Sequence, residues 1–171
     1  MRLIPIAVIA PIVVIASWAA TQFMIEETAG EEFCTSCHTM VPIGATYRAD
    51  LHGGANNVGF AAKCVDCHVP HDNPLAYLFG KAVSGTHDAW AEMTYDLDAI
   101  DWQAKRKHPE RFVYDSGCLH CHSNLEGATM ANVKAFVAHK PYFLGKTERT
   151  CANCHAVGHK NLSRYLEGAG S

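Results

Sequence analysis

The stretch Phe33-Cys34-Thr35-Ser36-Cys37-His38-Thr39-Met40-Val41-Pro42 decides how this chain is read. Its centre is CxxCH, the attachment signal for covalent haem c. The arrangement returns three times, as Cys64/Cys67-His68, Cys118/Cys121-His122 and Cys151/Cys154-His155, and these four motifs use all eight cysteines. Zinc ribbons and disulfide frameworks also use paired cysteines. Zinc, however, does not require a His directly after the second Cys. With 11 His in 171 residues, four such coincidences have a probability on the order of 10⁻⁵ if CxxCH is taken as the haem signal. The spacing suits the chemistry. Two thiols add to the two vinyl groups of a haem, and the next residue offers its imidazole to the iron as proximal ligand.

Four covalent haems in 171 residues leave about 43 residues per cofactor. So short a chain has little room for an ordinary apolar core, and the haems themselves are expected to form much of the interior. The formal charge of −3 omits the haem propionates, and no basic tract points to nucleic acid. In the first motif Met40 follows His38 by two residues. Either can be an axial ligand, and the residues alone leave the choice open.

Leu3 to Ile25 carry no charge over 23 residues, long enough to cross a bilayer with some tilt. Pro5 and Pro11 are tolerable in a membrane helix. Arg2 precedes the run, while Glu26, Glu27, Glu31 and Glu32 follow it. The positive-inside rule then puts the N-terminus in the cytoplasm and the haem motifs outside. A cleaved signal peptide is the competing reading, with Ser17-Trp18-Ala19 as the cleavage site. The apolar run is longer than a signal's usual 7–15 residues, which favours an uncleaved anchor.

The expected organisation is therefore an anchor over 1–26 and an extracytoplasmic tetrahaem domain over 27–171. Motif starts are spaced by 30, 54 and 33 residues, reading Cys34, Cys64, Cys118 and Cys151 in turn. This suggests two haem pairs, 34–68 and 118–155, around a longer insert. Within the insert, Trp90, Met93, Leu97 and Ile100 recur at helical steps and predict a helix over Ala89–Arg111, ended or interrupted by Pro109. A second helix is expected over Ala128–His139. The glycine-rich run Asp50–Phe60 reads as loop, and no run alternates as a strand. The fold class is all-α and haem-rich, with little regular structure beyond one N-terminal transmembrane helix.

Seven His lie outside the proximal positions: His52, His71, His87, His108, His120, His139 and His159. Bis-His ligation suits electron-transfer haems. His120 sits inside a CxxCH loop and is poorly placed to reach another iron; His71 is ambiguous. His52, His139 and His159 lie on segments free to fold over a neighbouring haem and are the distal candidates.

One N-terminal anchor, four CxxCH motifs and CxxCHxM at the first of them resemble the NapC/NirT/NrfH family of membrane-anchored tetrahaem quinol dehydrogenases. The strings FCTSCHTM, CVDCHVPH, FGKAVSGTHDAW and CANCHAVGH carry the resemblance, and the middle two are most similar to the nitrite reductase small-subunit branch. The resemblance implies that Met40 rather than His38 binds haem 1, with its distal face open beside Asp88, and that Lys81 helps form a quinol site. It implies His159 as distal ligand of haem 2, His52 of haem 3 and His139 of haem 4. The implied substrate is menaquinol. The implied partner is a periplasmic multihaem reductase, cytochrome c nitrite reductase first among them, in a hetero-oligomer at the cytoplasmic membrane. A NapC-type donor to nitrate reductase and a plain electron carrier are the alternatives. A terminal reductase is disfavoured, because the multihaem nitrite reductases use CxxCK at the catalytic haem and none occurs here.

Overall fold

The computed structural model describes residues 3–96 and 99–164. It is helical, with no strand among the described residues. Helix α1 spans Leu3–Glu27 and continues through Pro11. Its side chains from Ala7 to Met24 are all exposed. An apolar helix with no buried face needs a solvent other than water. At 25 residues it is about 37 Å long, enough to cross a hydrocarbon layer of about 30 Å.

The rest of the chain is short helices joined by loops. α2 (Glu31–Cys34) delivers the first cysteine, and a 3-10 turn holds His38–Met40. α3 covers Val41–Arg48 and α4 covers Cys64–His68. The long α5 runs Pro74–Thr94. There follow α6 (Trp102–Arg106), α7 (Asp115–Cys121), α8 (Leu125–Met130), α9 (Val133–Phe143) and α10 (Cys151–Cys154). The haem motifs thus lie on or directly after α2, α4, α7 and α10.

The helix expected over Ala89–Arg111 is not one helix. Trp90 and Met93 belong to the end of α5, which begins much earlier, where the Asn73 side chain accepts the Ala76 N–H and Pro74 opens the first turn. That pairing of cap and proline is a strong start signal. A second cap, Asp101 accepting the Ala104 N–H, starts α6. Pro109 opens a 3-10 turn, Pro109–Arg111, rather than ending a helix, and Leu97 lies outside the described residues. The helix expected over Ala128–His139 is likewise divided. Asn132 accepts N–H groups of Lys134 and Ala135 and caps a new helix, α9, which continues through Pro141.

The buried apolar side chains among the described residues are few: Ala29, Ala62, Val65, Val69 and Leu162. Ala29, Val65 and Val69 form one small cluster with Tyr77 of α5 against it. So thin a protein core fits the expectation that cofactors form much of the interior.

α4 and α7 pack through Gly117. A Cβ there would fall on the Asp66 carbonyl oxygen, so only glycine permits the approach. The Tyr114 N–H donates to the Cys67 carbonyl at 3.0 Å across the same contact.

Candidate functional site

The three distal candidates each meet a motif His. His159 has its ring centre 6.2 Å from that of His68, His52 lies 6.4 Å from His122, and His139 lies 5.8 Å from His155. An imidazole nitrogen sits about 2 Å from a metal it binds, so two rings on opposite faces of one metal have centres about 6 Å apart. All three separations match that requirement, and all eight cysteines are free thiols. The residues therefore fit covalent haem with bis-His ligation at three of the motifs.

The Nδ1 atoms of four of these rings are already engaged. His68 Nδ1 donates to the Phe112 carbonyl and His139 Nδ1 to the Ala135 carbonyl, both at 2.8 Å. His159 Nδ1 lies 3.2 Å from the Ile43 carbonyl and from Thr46 Oγ1. His52 Nδ1 is 3.3 Å from Asp50 Oδ1. Fixing Nδ1 leaves the Nε2 lone pair as the ligating atom, the usual arrangement at metal sites. Burial, with the neighbouring His68, also pushes the His159 pKa down, which keeps the imidazole in its neutral, ligating form.

The first motif differs. His38 Nδ1 lies 3.1 Å from Glu92 Oε1, and Thr39 Oγ1 donates to Glu92 Oε2 at 3.1 Å. One carboxylate of α5 therefore spans the two residues between Cys37 and the half-buried Met40. Glu92 was missed at the sequence level. Its signal was its place one helical turn after Asp88.

Lys81 and Asp88 are seven residues apart on α5, two turns along one side. Lys81 Nζ donates to the Ile25 carbonyl at 2.7 Å, tying α5 to the last turn of α1. It lines an open groove of about 360 Å³ together with Ala20, Thr21, Met24, Ile25, Thr28 and Leu78. Burial holds the Lys81 pKa below its ordinary value. Asp88 is not in the groove wall; its exposed carboxylate lies 3.3 Å from His87 Nδ1. Both charges nevertheless reach the first motif. The Cys34 thiol is brought down to about 7, first by its hydrogen bond with Cys64, against burial, with Lys81 lowering it and Asp88 raising it.

The motifs adjoin one another in chain order. The Cys34 and Cys64 thiols are hydrogen-bonded, the Tyr114 N–H beside α7 donates to the Cys67 carbonyl, and the Cys118 and Cys151 thiols are hydrogen-bonded. The Cys151 N–H also donates to Asp115 Oδ1 at 2.8 Å, and burial followed by that carboxylate pushes the Cys151 thiol up to about 12. The arrangement forms a continuous series from the end of α1 to α10. His71 and His120 stand apart from the three pairs, with ring centres 5.2 Å from each other. His87 and His108 pair with Asp88 and Glu110.

A sequence profile described as the NapC/NirT cytochrome c family, N-terminal region, matches residues 1–164. The chain is 26% identical to the tetraheme c-type cytochrome CymA of Shewanella oneidensis, over 90% of this chain and 87% of that one. It is 34% identical to the cytochrome c nitrite reductase subunit NrfH of Nitratidesulfovibrio vulgaris, over 82% and 74%. It is 29% identical to the cytochrome c-type protein NapC of Haemophilus influenzae, over 82% and 72%. No solved structure is a significant match.

Proposed function

The chain belongs to the NapC/NirT cytochrome c family, and on that premise we propose that it is a membrane-anchored tetrahaem quinol dehydrogenase. It oxidises menaquinol and relays the electrons to a periplasmic reductase, with cytochrome c nitrite reductase as the first candidate partner. Residues 1–26 are the anchor, with the N-terminus cytoplasmic, and residues 27–171 are the extracytoplasmic haem domain. The chain is not itself the terminal reductase.

The observation that carries this reading is the position of Lys81. It joins the end of the apolar helix, an open groove and the first CxxCH motif at one place. A lipid-soluble quinol reaches that height without leaving the membrane.

Quinol oxidation releases two electrons and two protons. Each haem, when bound, supplies a one-electron couple whose potential is set by its axial ligands. The chain's own groups do the rest. Lys81 Nζ turns from the Ile25 carbonyl to the quinol oxygen and favours its anionic form as the proton leaves. The Asp88 carboxylate receives the two protons one at a time and, being exposed, passes each to water. Met40 would hold haem 1, with the Glu92 carboxylate against His38 and Thr39 on the α5 side. His68 with His159, His122 with His52, and His155 with His139 would hold haems 2, 3 and 4.

A NapC-type role is the second reading, in which the acceptor is a nitrate reductase or another periplasmic reductase. It is favoured by His139, which gives the fourth motif a ligand within the chain.

The test is anaerobic addition of menadiol to the purified, detergent-solubilised holoprotein, followed by absorbance. Reduction of all four haems within seconds is expected. Haems that dithionite reduces and menadiol does not would overturn the proposal.

A further inference from the structure

Helix α5 has two unlike sides. The inward side carries Tyr77, packed on the core cluster, Lys81, bonded to Ile25, and Glu92, bonded to Thr39 and close to His38. The outward side carries Leu75, Phe79, Val83, Trp90 and Met93, with Thr86 between them. These positions follow one another at steps of four, four, three, four and three, so they form one stripe along the helix. No charge falls on it. Leu75, Phe79 and Met93 are 78%, 74% and 74% exposed, and Trp90 is 58% exposed. A stripe this long and this apolar exceeds the scattered exposure ordinary surfaces show.

What covers it follows from where α5 lies. Leu78 and Lys81 meet Ala20, Thr21, Met24, Ile25 and Thr28 across the groove. α5 therefore sits beside the last two turns of α1, at the height where that helix leaves the apolar layer, and not above it. We propose that α5 is an interfacial helix, lying in the bilayer surface with its Leu75–Phe79–Val83–Trp90–Met93 stripe in the acyl boundary. The inference rests on reading α1 as a membrane anchor and does not depend on quinol oxidation.

The chemistry of the stripe suits that place. Amphipathic helices bind membrane surfaces by burying an apolar face at the headgroup boundary. Trp90, with its apolar body and polar N–H, is a side chain enriched at that depth. The opposite face then presents Lys81, Asp88 and Glu92 toward the protein and the aqueous side.

The experiment uses the full-length holoprotein in vesicles of phosphatidylethanolamine and phosphatidylglycerol, doped with a phospholipid bearing a photoreactive diazirine in its acyl chain. After illumination, peptides are mapped by mass spectrometry. Val58 and Val133, 83% and 77% exposed, lie elsewhere and serve as internal controls. The expected result is labelling of α1 and of the Leu75–Met93 stripe, at least tenfold above the peptides holding Val58 and Val133. In the F79D/V83D variant, with haem content unchanged, α5 labelling should fall several-fold while α1 labelling persists. Labelling of α1 with α5 at the control level would overturn the proposal. So would absence of label from α1, which would remove the anchor as well. Failure of menadiol reduction beside a labelled α5 would overturn the quinol reading and leave this one standing.

Discussion

His68 and His159 bring their ring centres to 6.2 Å, though one belongs to the second cysteine motif and the other follows the fourth. With both rings as ligands of one iron, contact between such distant segments would close the chain on itself. His159→Ala should therefore convert one haem in four from low spin to high spin, read as a new high-spin ferric signal in low-temperature EPR. His52→Ala should do the same for a different haem, through its pairing with His122. An unchanged spectrum in either variant would remove that residue from the ligand set.

The first motif makes a different prediction. Glu92 holds His38 and Thr39 by one carboxylate, and the proposed ligand of haem 1 is Met40. His38→Ala should leave the haem 1 spectrum and menadiol reduction nearly unchanged. Met40→Leu removes the thioether and should shift the haem 1 signal and slow reduction at least tenfold. The reverse pattern, with His38 essential and Met40 silent, would make Glu92 the outer partner of a ligating His.

Gly117 is where the two halves of the haem series touch. Adding a Cβ drives it into the Asp66 carbonyl, a backbone atom that cannot rotate away. Gly117→Ala should destabilise the protein by about 1–3 kcal/mol through overpacking. It should also separate α4 from α7, so that menadiol reduces two haems fast and two slowly. A single fast phase with wild-type melting would show the contact to be dispensable.

Lys81 gives a pH dependence. Burial lowers its pKa below the ordinary value near 10.4. If quinol oxidation needs the ammonium, the rate falls as pH rises through that lowered pKa, so an alkaline limb appears earlier than for an exposed lysine. Lys81→Arg keeps its charge throughout and should abolish the limb. Lys81→Ala should lower the rate at least tenfold at neutral pH. Identical alkaline profiles in wild type and Lys81→Arg would show that the limb belongs to another group.

What could be read in the sequence divides by range. Cys64-Val65-Asp66-Cys67-His68 announces its chemistry within five residues, and the uncharged run to Ile25 announces its own solvent. The pairing of His52 with His122 cannot be read locally, because nothing near either residue encodes the other; it entered through the family resemblance. Trp90 and Met93 were correctly read as helical but assigned to the wrong helix. Their repeat marks an exposed stripe that began at Leu75, and the Asn73-Pro74 start signal was the clue. Gly117 was silent, since a close approach between two backbones has no pattern in one of them.

The fourth motif decides how complete the chain is without a partner. His139 is held by its Nδ1–H on the Ala135 carbonyl and stacks 5.8 Å from His155, with the rings inclined by 22°. If His155 and His139 fill both axial positions, as proposed, haem 4 should be low spin in the isolated protein. Adding a periplasmic reductase should leave that signal unchanged while electrons flow. His139→Ala should make haem 4 high spin. A return to low spin when the reductase is added to this variant would mean that the reductase supplies a ligand of its own. If haem 4 is already high spin in the isolated wild-type protein, His139 is not its ligand, and the fourth iron is completed only in the complex.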